Sequence, residues 1–224
     1  MARYTRMDVL NAMYDTSLVP VFYNPDIEVV KNVARACAKG GIRLLEFTNR
    51  GDFAYQVFSE LEQFCAAELP EMITGVGSIA DPATAGLYIN NGANFVVGPL
   101  LNADVAKLCN RRKIPYSPGC GSASEISYAE ELGCEIIKVF PGGQVGGPKF
   151  ADAVRKPCPW VSLMPTGGVD ITEESLTEWF NAGVACVGIG SKLVTKELLA
   201  KKDYDGITRN VEKTLKIISK LKKG

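Results

Sequence analysis

Eight short apolar runs, each followed by a longer stretch with helical periodicity, succeed one another along this chain. The runs are Leu18–Tyr23, Ile42–Thr48, Met72–Val76, Asn94–Gly98, Ile114–Ser117, Glu135–Phe140, Val161–Met164 and Ala185–Ile189. The helical stretches are Pro25–Lys39, Asp52–Glu68, Pro82–Asn91, Asn102–Arg111, Ala123–Leu132, Pro148–Lys156, Thr172–Ala182 and a last one within Asp203–Lys223, and an amphipathic helix over Thr5–Asp15 precedes them all. Asp81, Asn102 and Ser122 stand where N-caps belong, and Gly or Asn closes many helices. Strict alternation of strand and helix implies a parallel sheet covered by helices. Eight units within 224 residues favour an α/β closed (β/α)8 barrel, a TIM barrel with an extra N-terminal helix, over an open doubly wound sheet. No charge run or Pro/Ser-rich linker divides the chain, so residues 1–224 read as a single domain.

The chain contains no histidine. That excludes a Ser-His-Asp triad, a Cys-His pair and imidazole-bound zinc, and leaves acid–base chemistry to Asp, Glu, Lys, Tyr or Cys. No metal or cofactor site is expected. Lys and Arg number 25 against 25 Asp and Glu, so no global field invites nucleic acid or an anionic membrane. The terminal Lys216, Lys220, Lys222 and Lys223 read as a solvated helix end. The stretch from Met1 to Val9 lacks a signal-peptide apolar run, and no segment approaches the roughly 20 apolar residues of a membrane span. Seven scattered cysteines without a C-x-x-C pair suit a reduced, cytoplasmic protein. Cys120, between Gly119 and Gly121, is the one expected in an exposed loop.

In such barrels the chemistry lies at the C-terminal strand ends, with a phosphate site often following strands seven and eight. Period-two alternation in the sixth run puts Ile136, Lys138 and Phe140 on one face. Desolvation of Lys138 would lower its pKa and free the amine as a nucleophile for carbonyl carbon. A snorkelling lysine or one locked in an ion pair is the alternative. In the second run Leu44, Glu46 and Thr48 share a face, so Glu46 is a candidate general acid–base or the partner of a structural salt bridge. Arg50, just beyond, suits a carboxylate or phosphate, or else caps the loop. After the seventh and eighth strands, Thr166-Gly167-Gly168 and Gly190-Ser191 let backbone N–H groups approach an anion. Ser78 and Pro99 close the third and fourth strands, where tight turns are the simpler reading.

Five ordered stretches resemble the KDPG (2-keto-3-deoxy-6-phosphogluconate) and KHG (4-hydroxy-2-oxoglutarate) aldolases. They are Gly41 to Arg50, Gly75 to Ser78, Ile137 to Pro141, Pro165 to Val169 and Gly188 to Ser191, and the similarity runs from about Val19 to the last helix. The resemblance implies a class I, metal-free aldolase on a (β/α)8 barrel, a homotrimer, acting on a phosphorylated sugar acid. Lys138 matches the Schiff-base lysine, Glu46 the general acid–base, Arg50 the carboxylate-binding arginine and Phe140 the aromatic of the lysine's pocket. Gly167, Gly168, Gly190 and Ser191 match the phosphate loops, and Ser78, Pro99 and Thr166 complete the implied substrate contacts. Ser78 replaces the usual threonine, Asn49 the usual leucine, and Leu100 a common glycine. The last two bear on substrate preference. The strand-six lysine lacks the Asp-x-Lys-x-x-Asp pattern of phosphosugar decarboxylases and epimerases. A non-catalytic sugar-phosphate sensor has little reason to desolvate both Lys138 and Glu46.

Overall fold

The computed structural model of the protein describes residues 2–222; Met1, Lys223 and Gly224 lie outside the described residues, and with Lys223 the end of the basic stretch. The first elements are α1 (Arg6–Thr16), β1 (Leu18–Phe22), α2 (Ile27–Lys39), β2 (Leu44–Thr48), α3 (Ala54–Glu68), β3 (Ile73–Gly77) and α4 (Pro82–Asn90). Next come β4 (Val96–Val97), α5 (Ala103–Arg112), β5 (Tyr116–Ser117), β6 (Gly119–Cys120), α6 (Ala123–Glu131) and β7 (Ile137–Val139). The chain continues through α7 (Gly147–Arg155), β8 (Leu163–Pro165), α8 (Glu173–Asn181), β9 (Val187–Ile189), α9 (Lys196–Ala200) and α10 (Tyr204–Leu221).

Local chemistry sets the helix ends. Thr5 and Asp8 form a capping box ahead of α1. Asp81, Asn102 and Ser122 accept from backbone N–H groups two or three residues on, and Asp26, Thr172, Thr195 and Asp203 do the same. Within α2, Val30, Val33, Ala34 and Cys37 are buried together, the spacing of one helical face. No helix among the described residues is long and apolar enough to cross a membrane.

Every strand pair is parallel, in a curled sheet of two blocks: β5-β4-β3-β2-β1-β9 and β6-β7-β8. The strand expected over Ile114–Ser117 is observed as β5, and a second short strand not foreseen in the sequence, β6, follows it beyond Pro118. Proline has no N–H to donate to a ladder, though its carbonyl accepts from Lys138 N at 3.0 Å. Accordingly β5 pairs with β4, and β6 with β7. Between β8 and β9, Thr166 bridges Gly188 in parallel and Ala185 N donates to Leu163 O at 2.9 Å. Short α9 is a further departure, since five residues carry too little periodicity to register in sequence.

The core has two layers. Leu45, Phe47, Ile137 and Val139 pack outward against the helices. Val19, Leu44, Ile73, Phe95, Ile136 and Met164 point the other way, and α1 covers one end of that inner layer with Val9, Leu10, Ala12 and Met13. The period-two assignment of the sixth strand therefore holds, with Ile136 inside and Ile137 outside. Cys120 departs from expectation: it is buried in β6, and Cys158 is the half-buried thiol. The flanking glycine answers to packing. A Cβ on Gly119 would collide with the backbone carbonyl of Pro99.

Candidate active site

Lys138 is the middle residue of β7 and Glu46 lies in β2; their side chains are buried. Lys138 Nζ stands 4.6 Å from the centroid of the Phe140 ring, over its face. Neither carboxylate oxygen of Glu46 has a hydrogen-bond partner among the described residues, so the structural salt bridge weighed from the sequence is not made. Burial pushes Lys138 below its ordinary 10.5; the charge of Glu46 opposes this and Arg50 adds to it. Burial likewise pushes Glu46 above its ordinary 4.5, against the pull of Lys138 and Arg50. Both groups are driven toward their neutral forms. A lysine amine and a carboxyl buried together, each shifted toward its neutral form, are groups suited to imine chemistry.

The space for Glu46 is made by Gly77, at the end of β3, where a Cβ would fall on the carboxylate. Arg50, exposed just past β2, donates from Nε to Ser78 Oγ at 3.4 Å. Ser78 takes a left-handed φ of 62° there, which brings its hydroxyl to the arginine. Pro99, half-buried after β4, packs its carbonyl against Gly119.

Beyond Phe140 opens a cleft of about 600 Å³. Arg50, Phe140, Thr166, Gly167, Gly168, Gly190 and Ser191 all line it, so residues far apart in sequence meet in one place; Ser78 and Pro99 are not among its walls, and neither are the buried Lys138 and Glu46. Gly167 and Gly168 hold φ of 79° and 84°, a conformation that glycine adopts freely. The buried Thr166 Oγ1 has no partner among the described residues, and a Cβ on Gly188 would collide with it. Tyr23, Asp170, Lys192 and Lys196 also line the cleft. The sequence does not single them out: Asp170 and Lys192 lie just past the glycine stretches, and Tyr23 and Lys196 belong to no motif. Among the described residues no cluster of His, Cys, Asp or Glu could hold a metal ion.

Residues 9–210 match the family described as Aldolase: KDPG and KHG aldolase. The chain belongs to this family. Among KDPG and KHG aldolase relatives, the 2-dehydro-3-deoxy-phosphogluconate aldolase of Treponema pallidum is 30% identical over 94% of this chain and 97% of its own length. The KHG/KDPG aldolase of Escherichia coli K12 is 32% identical over 86% of this chain and 87% of its own. The crystal structure of KDPG aldolase from Legionella pneumophila, with pyruvate captured at low pH as a covalent carbinolamine intermediate, superposes with a TM-score of 0.83 at 26% identity. It spans 91% of this chain and 96% of that one.

Proposed function

We propose that the protein is a class I aldolase that cleaves 2-keto-3-deoxy-6-phosphogluconate to pyruvate and glyceraldehyde 3-phosphate through an imine on Lys138. The observation that carries this reading is the buried pair of Lys138 and a Glu46 carboxyl without hydrogen-bond partners, each driven toward neutrality. Neutral Lys138 Nζ attacks the C2 ketone to give a carbinolamine. Glu46 protonates the departing hydroxyl, and loss of water leaves a protonated imine. Ionised Glu46 then accepts the C4 hydroxyl proton, the C3–C4 bond breaks, and its electrons enter the imine to form an enamine. Glyceraldehyde 3-phosphate leaves. Protonation at C3 and hydrolysis release pyruvate and restore Lys138.

Arg50 receives the substrate carboxylate through its planar guanidinium. Phe140 walls the lysine's pocket, while Ser78, Pro99 and Thr166 serve as the further substrate contacts. Backbone N–H groups around Gly167, Gly168, Gly190 and Ser191 receive the phosphate. The volume of the cleft, about 600 Å³, and the four glycines among its walls support a phosphorylated six-carbon substrate. The related cleavages of 4-hydroxy-2-oxoglutarate and of the galactonate epimer use the same imine, and separate kinetics on the three substrates rank them.

We also infer one domain over 1–224 with the two sheet blocks closed as a (β/α)8 barrel. The Thr166–Gly188 bridge and the Pro118–Lys138 hydrogen bond support closure at the two junctions. A homotrimer is carried over from the family resemblance and a cytoplasmic location from the cysteine pattern, and free, mostly buried thiols agree with a reducing compartment. Light scattering tests the assembly.

Incubation with pyruvate and borohydride, followed by peptide mapping, tests the chemistry. We expect an irreversible adduct on Lys138 that is lost in Lys138→Ala. A folded protein that forms no adduct at neutral pH would overturn the imine mechanism.

A further inference from the structure

We propose that Lys192 is a side-chain ligand for the substrate's terminal phosphate, held over the glycine cradle by Asp170, and that it sets a preference for a phosphate end over a carboxylate end. The proposal rests on the reading of Gly167, Gly168, Gly190 and Ser191 as the phosphate cradle. Both Lys192 and Asp170 line the cleft beside those residues. They come from different loops: Asp170 follows β8, and Lys192 follows β9 directly after Ser191.

The two partners are held very differently. Asp170 Oδ1 accepts from Ile171 N at 2.7 Å, and Asp170 N donates to Ser175 Oγ at 3.1 Å. That fixes the carboxylate and leaves Oδ2 for Lys192 Nζ at 2.8 Å. The lysine, mostly exposed, can swing at its end. An ammonium has three N–H donors, so it can keep Asp170 and still bind a second anion.

Charge decides what that second anion is. Arg50, Lys192 and Lys196 line the cleft with Asp170 as the single carboxylate among its walls. A phosphate monoester carries close to two negative charges at neutral pH, a terminal carboxylate one. Backbone N–H donors bind either anion, but an ammonium gains more from the higher charge. With Lys192 between them, Asp170 does not face the phosphate unshielded.

Calorimetric titration with glycerol 3-phosphate into the unsubstituted protein, Lys192→Met and Asp170→Asn tests this. We expect Lys192→Met to weaken binding about tenfold, the size of one charge-assisted hydrogen bond. Asp170→Asn, which loosens the lysine but removes an anion from the cleft, should weaken binding clearly less than Lys192→Met does. If both substitutions weaken binding equally, the pair is only a clamp between two loops and the proposal fails. It fails too if Lys192→Met changes nothing, or if the unsubstituted protein binds no glycerol 3-phosphate. Circular dichroism confirms the fold of each variant. Borohydride trapping of pyruvate by the unsubstituted protein needs no phosphate, so a failed imine and a failed Lys192 assignment give different results.

Discussion

Gly77 and Glu46 share one space: a Cβ on Gly77 would stand 2.7 Å from the Glu46 carboxyl carbon and 3.0 Å from its Cγ. The absence of a side chain at the end of β3 thus fixes where the Glu46 carboxyl, the proposed acid–base group, can stand. Gly77→Ala must displace a buried carboxyl whose neighbours on the strand are packed. We expect kcat for aldol cleavage to fall about a hundredfold, within the range of a lost general acid–base, and the Lys138 adduct to form more slowly. Steady-state kinetics beside adduct mapping separates the two effects.

The depressed pKa of Lys138 has a thermodynamic signature. Between its lowered native value and the ordinary 10.5, the unfolded chain binds more protons at this residue than the folded one. Stability contributed by this residue therefore rises with pH across that window and is flat below it. Comparing Glu46→Gln with Glu46→Gln/Lys138→Met by urea unfolding between pH 6 and 10 isolates the term, because the thiols and tyrosines titrate alike in both. The single variant should gain on the double as pH rises. A constant difference across that range would contradict a depressed Lys138.

Six thiols are shielded by burial, which pushes Cys37, Cys65, Cys109, Cys120, Cys134 and Cys186 up to about 12. A thiol reacts as its thiolate, so these six are inert at pH 8. A disulfide reagent should label one cysteine quickly in the folded protein, Cys158, and all seven in denaturant. Mass spectrometry of the labelled peptides identifies the site.

At the end of the fold where α1 packs, Arg3 holds a second buried carboxylate. Its Nε lies 2.6 Å from Glu62 Oε1, and an Nη donates to Met72 O at 2.7 Å, while Thr74 donates to Glu62 as well. Arg3→Ala strands a buried Glu62, and we expect a loss of about 2–4 kcal/mol in unfolding free energy, discounted because Arg3 is partly exposed. Glu62→Gln in the same background should recover part of it. Denaturant titration measures both.

Much of the site was legible in the sequence because its signals are local. A strand turns alternate residues to opposite faces, so Lys138 and Glu46 could be put on the inner face from their neighbours alone. Asp81, Asn102 and Ser122 announced their helices through a hydrogen bond that spans at most three residues. The absence of histidine narrowed the chemistry before any fold was known.

Proximity between distant segments is a different kind of information. From residue order alone came the alternation of strand and helix, the period-two faces of the second and sixth strands, and Lys138 and Glu46 as candidate chemical groups. The folded chain was needed to show that a second short strand follows Pro118, that Cys120 is buried, that Gly77 makes room for Glu46 and that Asp170 meets Lys192. Each of these turns on contacts set by close packing of the whole sheet and its helices. The backbone's short-range preferences carry no record of such contacts.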